Sequence, residues 1–248
     1  MPTGPLWRKA DVEREISGGT LPPWRASAYA ELKAKVLDDA FPCTFGTVAM
    51  RKGDVVVGFV ERAEPEEVRR QVRAALIAYT DLLRPLSAVA ASMMPCAVFV
   101  ALPAVERSIG EWFADGWALL QWLHEHDTHA WPARVPANPD DPAWSFCFGG
   151  VPLFVNFKTP AHERRRSRRM SSASMLLFQA RDGFDVVAGD TPQGRRKREI
   201  IREKLAAYDA VPIYPELAHY GHPENREWKQ YFVPEDNVPV ATRCPFHP

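Results

Sequence analysis

The chain of 248 residues has no net charge: 31 Lys and Arg balance 31 Asp and Glu. A dedicated nucleic-acid binder carries a basic excess over its binding domain, so the missing excess argues against that class. Cysteine is sparse. Cys43, Cys96, Cys147 and Cys244 stand far apart with no C-x-x-C pair, which speaks against a zinc ribbon or finger. Other signatures are missing too: no H-E-x-x-H, no G-x-G-x-x-G, no P-loop Lys-Ser/Thr and no G-x-S-x-G. The most apolar run, Leu86 to Leu102, is interrupted by Ser87, Ser92, Pro95 and Cys96 and is short for a bilayer span. No signal peptide is visible, so the expectation is a soluble, reduced, cytoplasmic protein.

What is present suggests a compact molecule. Hydrophobic residues make up 46% of the chain and there are eight tryptophans, enough for a substantial core. Residues 1–20 read as a loose N-terminal arm and 21–248 as one domain, α+β, with a mostly antiparallel sheet packed by helices. Helices are expected over Ala26 to Asp39, from Pro65 (with Val68, Val72, Leu76, Tyr79 and Leu83 as its stripe), and over Ala104 to Glu125. Another runs from the Thr191-Pro192 start to about Tyr208, burying Ile201, Leu205 and Tyr208. Strands are expected at Thr44 to Met50 and Val55 to Glu61 about a hairpin turn, and at Ala97 to Leu102. Trp144 to Phe148 and Leu153 to Phe157 should pair through Gly149-Gly150, followed by Ser174 to Gln179. From Val211 on, the aromatic-rich, proline-punctuated tail should wrap the core rather than float.

The stretch richest in chemistry is Thr159-Pro160-Ala161-His162-Glu163, followed by Arg164, Arg165, Arg166, Arg168 and Arg169. Read as a helix capped by Thr159 with Pro160 in its first turn, it would stack Arg165, Arg166 and Arg169 near the side of His162. One histidine cannot make a structural zinc site but can be an axial haem ligand, with guanidinium forks for the propionates. A solvated basic face is the competing reading. His124 belongs to His124-Glu125-His126-Asp127-Thr128-His129, either a metal cluster with Asp127 orienting a ring or a helix-end histidine on a packed face. Cys147 alternates with aromatics, and it and Cys43 are either small core residues or thiolate ligands, though neither has a basic neighbour in sequence. The segment Gly183 to Arg196 is glycine-punctuated, and its Thr191-capped helix start could attract an anion.

Several segments together resemble the YqcI/YcgG family. They are Phe41-Pro42-Cys43, Leu123-His124-Glu125, Trp144 to Gly150, Thr159 to His162 with the arginines behind it, Asp190 to Arg196, Ala207-Tyr208-Asp209, Asn225 to Tyr231 and Cys244-Pro245-Phe246. The resemblance implies a haem b (iron) N-oxygenase acting on a nitrogen of a small guanidine or amine, arginine-like, with dioxygen and an electron donor or a peroxide equivalent. It implies His162 as axial ligand, with His124 as the alternative ligand or distal group; Arg165, Arg166 and Arg169 near the propionates; and Cys147 beside His124 in the catalytic set. Glu227, Trp228 and Asp236 are candidates for holding the substrate cation. Ser145 stands where the resemblance leads one to expect a glutamate, and Asp127-Thr128-His129 replaces an expected Asp-Pro; the first bears on whether arginine itself is the substrate. Neither nucleic acid nor membrane is expected as a partner, and a homodimer is compatible with this reading. The alternatives are a non-catalytic haem- or anion-binding protein and a nucleic-acid-associated protein.

Overall fold

The fold is described from a computed structural model, which describes residues 4–183, 189, 191–217 and 219–248. One six-stranded sheet organises the chain. In chain order its strands are β1 (Leu6–Arg8), β2 (Val56–Val60), β3 (Cys96–Val100), β4 (Phe146–Phe148), β5 (Val151–Lys158) and β6 (Ser174–Ala180). Their spatial order is β1-β2-β3-β6-β5-β4. All ladders are antiparallel except β2–β3, which is parallel with Val56 opposite Cys96. A parallel pair needs a crossover, and helix α4 (Pro65–Leu83) with the short α5 (Ala88–Ser92) supplies it.

The apolar strands Val-Val-Gly-Phe-Val and Cys-Ala-Val-Phe-Val read without polar alternation because the sheet is covered on both faces there. Val56, Val60, Cys96 and Val98 face α4 and α6 (Ile109–Glu125), through Val72, Leu76, Tyr79, Trp117, Leu120 and Leu123. Val57, Ala97 and Phe99 face the other core, with α1 (Lys9–Ser17), α2 (Pro23–Leu37) and α3 (Thr44–Lys52). The α+β reading with a mostly antiparallel sheet therefore stands. The expected aromatic wrap is present too: Trp228, Tyr231, Phe232 and Phe246 are all buried. Gln121 on α6 exchanges hydrogen bonds with the backbone of His247, clamping the chain end onto that helix.

Four local expectations are overturned. The first twenty residues are not a loose arm: β1 pairs with β2, Val12 is fully buried, and Trp7 packs edge-on against Phe59 at 6.1 Å. Thr44 to Met50 is helix, not strand. The Cys43 sulfur accepts the Gly46 N–H at 3.4 Å, and Gly53 ends the helix in the left-handed region at φ 82°. Caps and packing against α2 outweigh the β-branched composition. Thr159 to Arg169 is not a helix either, but a loop closed by a bridge from Thr159 to Arg169, with one 3-10 turn at Arg166–Arg168. In α7 (Pro192–Tyr208) Ile201 and Leu205 are only half-buried, although Thr191 caps it as expected by accepting the Gly194 N–H at 3.0 Å. Asp190 and residues 184–188 of the glycine-punctuated segment lie outside the described residues.

The hairpin through Gly149-Gly150 is formed as read. Gly149 has φ 60°, and a Cβ there would sit 2.6 Å from Thr80 Oγ1, so only glycine fits both the turn and the approach to α4. Asp127 accepts the Gly149 N–H at 2.7 Å, tying the end of α6 to this turn.

Candidate functional site

His162 is fully buried. Its Nε2 lies 2.9 Å from Val233 O and its Nδ1 2.9 Å from Thr159 Oγ1. A carbonyl can only accept, so Nε2 carries the proton and Nδ1 accepts from the threonine hydroxyl. Burial favours the neutral ring, in which the Nδ1 lone pair faces the threonine hydroxyl. Burial, reinforced by Arg168, Lys158 and Arg165, pushes its pKa down to about 3. Instead of standing on a helix beside Arg165, Arg166 and Arg169, His162 holds the loop to the C-terminal wrap.

The arginines diverge. Arg165 is buried, donating from Nε to Pro234 O at 2.7 Å and from a terminal nitrogen to Asn237 Oδ1 at 2.6 Å, with Asp209 at 3.7 Å. Exposed Arg166 lies over the Tyr208 ring at 4.6 Å. Arg169 is exposed, and the buried one beside Arg165 is Arg168.

His124 is half-buried on α6, its ring 5.0 Å from Phe246 and 5.5 Å from Trp131. Its sequence neighbours do not join it: His126 stacks on Trp122 at 4.0 Å, and His129 lies 2.9 Å from the Arg84 guanidinium. No group of three or more His, Cys, Asp or Glu that could hold a metal ion exists among the described residues. Cys147 is buried, its thiol against Ser145 O, and burial pushes its pKa up.

Behind this cluster lies a closed knot. Glu227 is buried, and its Oε1 accepts from Ser145 Oγ at 2.7 Å and lies 3.0 Å from the Tyr231 hydroxyl. Its Oε2 is 3.2 Å from Arg181 Nε. Tyr231 also accepts the Phe146 N–H at 2.9 Å, and burial beside Glu227 holds its phenol far above the usual range. Ser145, flagged for what it replaces, is therefore a partner of the very carboxylate proposed to meet the substrate. Trp228 is buried next door, while Asp236 is exposed and accepts the Val238 N–H. The three substrate candidates do not share a site.

Open space lies elsewhere. A cavity of about 660 Å³ sits at the carboxyl ends of the parallel strands β2 and β3, between the start of α4 and the face of α6. Ligands favour this end of parallel strands, and the volume suits a small molecule. Gly116 forms part of its wall; a Cβ there would meet Phe157 at 2.7 Å, so glycine lets α6 approach β5. Asp115, whose side chain is 49% exposed, accepts from Arg107 at 2.9 Å, and partial desolvation at the cavity wall raises its pKa despite that arginine. Arg107 also lies over the Trp112 ring at 5.9 Å. The Arg107 Nε and the Trp112 indole N–H are buried without a hydrogen-bond partner, two donors beside a carboxylate on one cavity. Sequence reading singled out none of these residues, because each is ordinary on its own helix or loop.

A second cavity, of about 240 Å³, lies beneath Phe41-Pro42-Cys43 and is lined by Lys158, Arg165 and Arg168. Lys158 lines both cavities.

A family profile matches residues 32–247. The chain belongs to the YqcI/YcgG family. It is 38% identical over 95% of its length to a Streptomyces lavendulae protein named "Putative N(omega)-hydroxy-L-arginine synthase DcsA", covering 88% of that protein. It is 35% identical to YqcI of Bacillus subtilis over 97% of this chain and 94% of that one. With YcgG of the same organism the identity is 36%, over 91% of this chain and 89% of that one. No solved structure matches. Among the described residues no helix is long and apolar enough to cross a membrane.

A haem held by the expected residues does not fit this arrangement. Both ring nitrogens of His162 lie 2.9 Å from protein oxygens, neither histidine lines either cavity, and Arg165, Arg166 and Arg169 do not converge. Of the usual axial ligand types, the two cavities present only Cys43 and Met175.

Proposed function

We propose that this protein is an oxygenase that hydroxylates a nitrogen of a small guanidine or amine, with the substrate in the larger cavity. The observation that carries the placement is the pairing, on one 660 Å³ space, of the Asp115 carboxylate with the unpartnered donors of Arg107 and Trp112. An arginine-like amino acid carries the complement: a guanidinium for Asp115 and a carboxylate for the two donors. Asp115 would orient the guanidinium; Arg107 and Trp112 would fix the other end and so choose which nitrogen faces the oxidant. The name of the Streptomyces relative, with 38% identity, supports N-hydroxylation and an arginine-like substrate.

The reaction inserts one atom of dioxygen into the nitrogen–hydrogen bond, and two electrons and two protons from a donor carry the other atom to water. Haem b, with its iron, is the oxygen-activating group of this proposal on the strength of the family resemblance alone. No step is assigned to it, because the side chains do not present the expected ligands.

The test is purified protein reconstituted with haem, a reductant and dioxygen, presented with arginine, agmatine and simple guanidines, with hydroxylated product read by mass spectrometry. Product from at least one member, lost in Asp115→Asn, is the expected result. A haem-replete protein that gives no product from the panel overturns the reading. A Soret band that survives desalting supports haem binding, and its absence removes haem from the proposal.

A further inference from the structure

The smaller cavity has a different character from the larger one. Arg168 is buried on its wall with one terminal nitrogen donating to Gln230 O at 3.3 Å and the other, Nη1, without any partner. Burying a guanidinium with an unmet donor is costly, and a water or a bound ion is one group that can meet such a donor. Beside it Lys158 is buried and donates to Ser167 O. Burial, with Arg168 next, pushes its ammonium down to about 7. The remaining wall includes Cys43 at the N-cap of the nine-residue helix α3, on the same cavity as Lys158 and Arg168. Asp209, the nearest acid, is already committed to Ser167 by two hydrogen bonds and lies against Arg165. The positive end of a helix, a buried arginine and a buried lysine therefore converge on 240 Å³ with no carboxylate in the wall.

We propose that this cavity is a separate binding site for a small oxyanion, a carboxylate or a phosphate, seated between Arg168 and the N-terminus of α3 beside Cys43. The anion supplies the acceptor that Arg168 lacks. Because Lys158 borders both cavities, the anion has two admissible sources: a free ion, or the carboxylate end of a ligand that reaches past Lys158. The free-ion source is independent of the function proposed above; a ligand's carboxylate here would replace its placement at Arg107 and Trp112.

Cys43 provides the reporter. Cys96 and Cys147 are buried, and burial pushes the Cys244 thiol up to about 12, so peptide mapping resolves Cys43 as the responsive thiol. The rate of Cys43 alkylation is measured with anionic iodoacetate and with neutral iodoacetamide, in the native protein and in the urea-unfolded chain. A cationic cleft concentrates anions, so the native iodoacetate-to-iodoacetamide ratio should exceed the unfolded ratio by about tenfold. Inorganic phosphate should suppress the iodoacetate reaction saturably, beyond sodium chloride of equal ionic strength, and Arg168→Gln should bring the ratio to within about twofold of the unfolded value. Should that variant fail to fold, phosphate competition on the native protein decides alone. Protection by phosphate but not arginine identifies a free anion; protection by arginine but not agmatine identifies a ligand's carboxylate; either supports the site. A native ratio equal to the unfolded one, with no protection by any of the three, overturns it.

Discussion

Carboxylate, arginine and indole meet twice in this molecule, with opposite outcomes. In the knot around Glu227 both acid oxygens lie near protein donors, and the indoles of Trp117, Trp144 and Trp228, whose N–H groups also lack a hydrogen-bond partner, are packed among rings and line neither cavity. In the cavity at the ends of β2 and β3 the Asp115–Arg107 pair is bordered by space, and the Trp112 N–H and Arg107 Nε line it. The same residue types thus close on each other in one place and border open space in the other. What separates them is whether the surrounding elements leave room, not which side chains are present.

The contrast can be broken experimentally, beginning with the effect expected to be largest. The basic loop is braced by neutral His162, whose folded pKa of about 3 lies below its ordinary 6.5. The folded state therefore binds fewer protons than the unfolded one, and stability present above about pH 6.5 is lost as the pH falls toward 3. The expected slope is about 1.4 kcal/mol per pH unit from this group, read by urea titrations over pH 6 to 4; a slope unchanged in His162→Gln would mean the ring is not held neutral. For the knot, Glu227→Ala leaves Ser145, Tyr231 and Arg181 facing a hole, and a loss of about 3–5 kcal/mol is expected in equilibrium unfolding. A loss below about 1 kcal/mol would mean that the carboxylate is not a brace.

Effects at the cavity should be smaller in stability and larger in function. Gly116→Ala pushes a methyl into Phe157 and should cost about 1–3 kcal/mol by thermal unfolding, since the ring must move. Asp115→Asn removes half of the charge complement while leaving packing intact. Tm should hold while kcat/KM for a guanidine substrate falls about tenfold or more, as when a charged hydrogen bond is lost. Equal losses of stability in Asp115→Asn and Glu227→Ala would erase the distinction between the open place and the closed one.

The outcomes for individual elements show where sequence reading succeeds. Helix α4 was readable because its stripe from Val72 to Leu83 recurs at helical spacing and Pro65 opens it; the hairpin at Gly149-Gly150 because two consecutive glycines demand a turn. Helix α3 resembles a strand in its Thr- and Val-containing composition and is short; its decisive cap is a cysteine, a residue no propensity rule puts there. For Cys43 the sequence leaves a core residue and a thiolate ligand both open, since the basic residues on its cavity, Lys158 and Arg168, come from more than a hundred residues further along the chain.

Sequence alone determined the family, the helices with a repeating apolar stripe, the pairing of β4 with β5 and the burial of the C-terminal aromatics. Those properties are local or compositional, carried by spacing, caps and turn residues within a few positions. Only the tertiary structure decided that His162 is a neutral bracket, that Ser145 serves Glu227, and that Asp115 and Arg168 each border open space. The energies that fix these roles, burial and a bond to a partner 71 residues away in the chain for His162 and 62 for Arg168, come from the packing of distant segments and leave no mark on neighbouring residues.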